Sequence, residues 1–164
     1  MVSAYHLNVT VHILAALVWL GGMLFFAIVA APVLRRLEPA ELRAALFRRL
    51  GESFRLIGWI AIAVLLATGI ANLGFRGWLW AALQGEDAFW GSLTGRTLQL
   101  KLACVAAMIV LSFIHDFVLG PRSLRTTVGS KALRMRRQAA WLARINALIG
   151  IFLVYVSVRL VRGG

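Results

Sequence analysis

HILAALVWLGGMLFFAIVAAPVLRR, residues 12–36, decides what kind of molecule this is. From Ile13 to Leu34 it carries no charged residue, and it opens on one ionisable ring, His12. Extended back to Tyr5, the apolar run covers residues 5–34. That exceeds the ~20 residues a helix needs to cross the hydrocarbon core of a bilayer. Comparable runs follow at residues 54–75, 97–120 and 139–160. The first run is too long, and lacks the basic leader segment, to be a cleavable signal peptide, so it is expected to remain in the mature chain. The reading is an all-α integral membrane protein: a single membrane domain over residues 1–164, built as a four-transmembrane-helix bundle.

Composition agrees. The chain is 61% hydrophobic and 15% charged, with a mean hydropathy of +0.84. Soluble domains hold about half apolar and a quarter charged residues. Cys104 is the sole cysteine and lies inside a span, which excludes a disulfide framework and a CxxC redox pair. The net charge of +12 on its own would admit nucleic acid, but thirteen of the eighteen cations fall in two segments. Six arginines lie between Arg35 and Arg55, and seven cations between Arg122 and Arg144. This is the positive-inside pattern of a multi-pass protein of the cell inner (plasma) membrane, with both basic loops cytoplasmic and both termini outside. Its partner is the lipid bilayer with its anionic head groups, and nucleic acid is not called for.

Between the first two spans, RRLEPAELRAALFRRLGESF (residues 35–54) aligns Leu42, Leu46 and Leu50 among arginines. It predicts a short amphipathic helix on the cytoplasmic surface. Pro32 is placed to kink or finish the first span. Trp78 and Trp80 suit the outer interface. AALQGEDAFWGSLTG (residues 81–95) reads as the least regular segment, and the Gly-Pro of LGPR (residues 119–122) as the stop of the third span.

Polar groups inside hydrocarbon usually face a bundle interior or a cavity. At 100° per residue, Asn8, His12, Trp19, Met23 and Phe26 share about 60° of arc, with His6 well off that face. On the third span Thr97, Lys101, Cys104, Met108, Ser112 and His115 form a stripe about 80° wide. Gly58, Ala61, Thr68 and Asn72 share a face of the second span, and Asn146, Gly150 and Ser157 one of the fourth. His12, Lys101 and Asn72 fall at the outer level. His115, beside Asp116, falls near the cytoplasmic level, about 20 Å below His12 at the helical rise, so the two imidazoles cannot share one iron or one metal ion within a chain.

Two readings stand for each group. His12 and His115 serve either as interhelical hydrogen-bond partners or as ligands, and Lys101 either snorkels outward or lines the site. Cys104, Met23 and Met108 either pack the core or offer soft donors suited to Cu(I). Trp19 with Gly21 and Gly22 reads as close helix packing. The chain has no Gly-rich phosphate loop, no paired catalytic carboxylates and no HExxH, and Asp116 is the sole acidic residue in a span.

HILAALVWLGGMLFFAIVAAPVLRR resembles the first span of the copper-resistance D (CopD) family, and GRTLQLKLACVAAMIVLSFIHDFVLGPR (residues 95–122) resembles its third. A His followed by Trp seven residues on, and a Lys followed by His fourteen on, is also similar to HemJ-type protoporphyrinogen oxidases, four-span proteins thought to hold haem b. The resemblance implies that His12 and Lys101 belong to a functional site, with His115 a second candidate; the face and depth of Trp19 and Asn72 add them as cofactor-binding candidates. Leu20-Gly21-Gly22-Met23 after the Trp is closer to the CopD pattern. CopD proteins often have more spans than these four.

Three functions follow. The first is copper handling, with His12, Met23, Cys104, Met108 and His115 as donors at successive depths and copper carried across the inner membrane. The second is a haem b redox protein with His12 as an axial ligand, which would need Lys101, an open position or a homodimer to complete it. The third is a non-catalytic scaffold within a larger membrane complex.

Overall fold

The computed structural model describes residues 2–120 and 130–163, and among these it is helical with no strand. The expected Gly-Pro stop reaches Pro121, and Arg122 and Arg125 of the second basic segment follow it; all three lie outside the described residues. Helix α1 spans Ser3–Leu34, α2 Ala40–Phe75, α3 Trp78–Gln84, α4 Asp87–Gly91, α5 Leu93–Leu119 and α6 Ser130–Val161. Four are long and apolar enough to cross a membrane: α1, α2, α5 and the Arg137–Val161 part of α6. The chain divides into two compact units, Met1–Phe89 and Trp90–Gly164. The first holds the hairpin of α1 and α2 followed by α3; the second holds the hairpin of α5 and α6.

The amphipathic segment expected between the first two spans is not a separate helix. Its residues 40–54 open α2, which runs unbroken for 36 residues. No proline interrupts residues 40–54, and their one glycine, Gly51, costs only about 1 kcal/mol of helix propensity. Its apolar side chains also have somewhere to go. Phe47 meets Phe26 of α1 edge-on at 6.1 Å between ring centroids, and the ring of Phe54 lies on the backbone of Gly22. These contacts extend the α1–α2 interface past the span, so the segment follows α1 instead of turning away. At the helical rise α2 is about 54 Å long against a hydrocarbon core of about 30 Å. Leu42 and Leu50 remain exposed along its first turns.

The turn joining α1 to α2 is held by Arg43, which donates to the carbonyl of Leu37 and to Glu38 Oε1, both at 3.1 Å. Residues 81–95, expected to be irregular, contain the end of α3, all of α4 and the start of α5. Gly77 (φ 72°) separates α2 from α3, and Gly85 (φ 69°) follows α3; at both, a left-handed backbone favours glycine.

Helix α1 widens twice into π-helical turns, at Leu17–Gly21 and Phe26–Ala30. The second directly precedes the last turn, Ala31–Leu34, which contains Pro32. Proline has no N–H to give to the preceding turn, and Ala31 bonds back to Phe26 instead. Pro32 thus acts at the end of the span, as its position implied. Helix α5 finishes in a third π turn, Ile114–Leu119. The buried side chains include Ala15, Trp19, Leu34, Ala61 and Ile62 in the first unit, and Leu98, Met108, Ala147, Val156 and Leu160 in the second. Large apolar side chains such as Leu7, Ile28, Leu56, Ile70, Val110 and Leu148 lie exposed along the long helices. That surface suits lipid and would be a liability in water.

Candidate functional site

In the first unit the polar face of α1 meets the polar face of α2. His12 is half-buried, with Nδ1 2.7 Å from the Thr68 hydroxyl oxygen. One turn earlier, Asn8 Nδ2 donates to the Thr68 carbonyl and to Asn72 Oδ1, both at 3.0 Å. Asn8 and His12 thus hold one residue of α2 from two sides, the backbone by the amide and the hydroxyl by the imidazole. Side chains four apart on a helix lie on one face, which is what makes the double grip possible. Asn72, expected beside His12, enters through Asn8. Thr68, which makes the direct contact, stood on the polar face of the second span but carried no signal of its own, because a threonine in a membrane helix commonly satisfies its hydroxyl on the preceding turn.

Below this network the interface is made of rings against glycines. Cε1 of His12 would lie 3.7 Å from a Cβ at Gly69, and Cδ1 of Trp19 3.7 Å from one at Gly58. Phe54 reverses the arrangement, its ring on Gly22. The glycines let the two backbones approach with a flat ring between them. Trp19 is 7% exposed, so the Trp of the His–Trp spacing packs the hairpin. Gly22 is the glycine that the packing uses; a Cβ on Gly21 would meet nothing within 4 Å. Met23 is half-buried on α1 next to Gly22. His6, off this face, is exposed, with its ring 5.9 Å from that of Tyr5.

In the second unit, Asn146 of α6 donates to the Ser112 hydroxyl of α5 at 2.9 Å, and both are buried. The two polar stripes read from the sequence therefore meet here. Met108, one turn before Ser112, is 1% exposed and packs the core. Cys104 is half-buried and lines an open apolar groove of about 450 Å³ with Ala103, Ala107, Leu148, Ile149 and Phe152. His115 Nδ1 lies 2.9 Å from Asp116 Oδ1, at the start of the π turn that ends α5. Lys101 is half-buried, two turns into α5. Cys104 and His115 stand about 17 Å apart along the helix axis at the standard rise. Donors so spaced form a series and not one coordination shell. Among the described residues no three His, Cys, Asp or Glu side chains converge to hold a metal ion.

The family model for copper resistance protein D (CopD) matches residues 48–160, more than half of the chain. The chain belongs to the CopD family. An uncharacterized protein of Aquifex aeolicus (strain VF5) is 27% identical to this CopD protein over 166 residues, covering 98% of this chain and 97% of the relative. No solved structure matches it. Together, the four apolar helices and the family make it a multi-pass membrane protein linked to copper resistance. Thr68, Asn72, Lys101, Cys104, Met108 and His115 fall within the matched residues, whereas α1, with His12, Trp19 and Met23, precedes them.

Proposed function

We propose that this CopD protein binds copper at the His12 end of the α1–α2 hairpin and carries it across the inner membrane. The observation that supports this is an imidazole inside a span held at one ring nitrogen by a neighbouring helix. Histidines that bind metal characteristically give their second nitrogen to a fixed hydrogen-bond partner, which orients the ring. The family's link to copper resistance supports copper as the cargo. Met23 in the first unit, and Cys104 and Met108 in the second, are soft sulfur donors of the kind that suits Cu(I), and His115 of the second unit is a further imidazole. Asn72, through Asn8, and Trp19, packed against Gly58, shape the hairpin around His12 without supplying such donors. In this reading both basic loops are cytoplasmic, which puts His12 on the outer side and His115 on the inner side.

The test is Cu(I) titration of the purified protein in detergent against a chromophoric competitor. The wild-type protein is expected to take up copper, and His12→Ala to lose at least about tenfold in affinity, as loss of a ligand set by its outer contacts would imply. Equal affinity in the two, or no copper uptake by wild type, overturns the reading. A Soret band in the purified protein, removed by His12→Ala, would reassign the imidazole to haem b. Unchanged copper tolerance of cells carrying His12→Ala, Lys101→Ala and His115→Ala would point to the scaffold role.

A further inference from the structure

We infer that Thr68 is a positioning residue: it sets the tautomer of His12, so that the lone pair a ligand would use lies on Nε2 and not on Nδ1. A threonine hydroxyl has one hydrogen to donate. That of Thr68 points back along α2, donating to the Val64 carbonyl at 2.6 Å, with the Leu65 carbonyl a weaker second acceptor at 3.4 Å. Its oxygen is therefore the acceptor in the 2.7 Å contact with His12, and Nδ1 is the donor. A neutral imidazole that donates from Nδ1 carries its lone pair on Nε2. The opposite tautomer would require Thr68 to turn its hydrogen toward His12 and release the Val64 carbonyl.

The acceptor is itself fixed. Asn8 holds the Thr68 carbonyl at 3.0 Å and ties it to Asn72, so Thr68 is anchored to α1 one turn above the imidazole. The relay runs from His12 Nδ1–H through the Thr68 hydroxyl to the backbone of α2. It contains no ionisable group besides the imidazole, which suits a segment crossing hydrocarbon. Metal and haem iron alike bind an imidazole through the lone pair of a neutral ring. The assignment of Nε2 rests on the hydrogen bonds alone, while its importance for affinity rests on the copper reading above.

The experiment is ¹⁵N NMR of the protein in detergent, with ring-labelled histidine, above the pH at which imidazoles titrate and without copper. The His12 signals are identified by their loss in His12→Gln. The unprotonated-nitrogen shift is expected on Nε2 in wild type and Thr68→Ser, and on Nδ1 or divided between the two nitrogens in Thr68→Val. Far-UV circular dichroism checks that each variant is helical, and Thr68→Ser, which keeps the hydroxyl, controls for general disruption. An unprotonated Nδ1 in wild type, or a tautomer unchanged in Thr68→Val, overturns the assignment. Copper affinity is then expected to fall about 10–100-fold in Thr68→Val and to be largely kept in Thr68→Ser. If the tautomer shifts as expected but wild type binds no copper, the copper reading fails while the positioning role stands.

Discussion

Gly21 and Gly22 are neighbours in sequence, and the structure makes them unequal. A Cβ on Gly21 reaches nothing within 4 Å, whereas one on Gly22 enters the ring of Phe54. Replacing either by alanine removes the helix penalty of glycine, about 1 kcal/mol, so this gain cancels in the comparison. What remains is the cost of moving Phe54. Overpacking of this kind costs about 1–3 kcal/mol, and because the contact is with the far edge of a ring that can swing, the low end applies. Gly22→Ala should therefore be about 1 kcal/mol less stable than Gly21→Ala, with Gly21→Ala at or above wild type. The assay is unfolding in mixed micelles by titration with sodium dodecyl sulfate, followed by far-UV circular dichroism. Adding Phe54→Leu to each alanine variant should remove most of the difference, since residues in contact couple by about 0.5–3 kcal/mol. Equal stability of the two single variants, or no coupling to Phe54, would refute the ring-on-glycine account of the hairpin.

Gly58→Ala should be tolerated, because its Cβ would sit at an ordinary 3.7 Å from Trp19, whereas Gly58→Leu should displace the indole and lower stability in the same assay. Asn146→Leu should lose the bond to Ser112; interhelical hydrogen bonds in membranes average about 0.6 kcal/mol and reach about 1.7. A double-mutant cycle with Ser112→Ala measures that coupling, and additive effects would mean that the pair contributes nothing. For topology, single cysteines at Arg49 and Glu86, made in a Cys104→Ala background, should react with an impermeant maleimide from opposite faces of sealed vesicles. Glu86→Cys should label from outside and Arg49→Cys only after permeabilisation; the reverse pattern would invert the orientation.

The polar face of α1 was legible as a face and not as a set of bonds. Asn8, His12, Trp19 and Phe26 recur at helical spacing, and all four meet α2 despite the π turn that begins at Leu17. Thr68 lay 56 residues from His12 in a second apolar run, and nothing local marked it as the partner. The amphipathic segment runs on into the second span for a related reason. Leu42, Leu46 and Leu50 among arginines carry the pattern of a surface helix, but Phe47 and Phe54 find Phe26 and Gly22 on α1 and keep it in line.

By itself the sequence determined four membrane-crossing helices, because the thickness of the hydrocarbon core sets a length that an uncharged helix must reach, and length and hydropathy are local properties. It also determined which side of each helix is polar, since the helical repeat alone places residues on faces. Only the tertiary structure decided the register of one helix against the next. That register gives His12 to Thr68, Asn8 to Asn72 and Ser112 to Asn146, and makes Gly22 matter where Gly21 does not. Register is a property of two interlocking surfaces, and neither strand of sequence holds it alone.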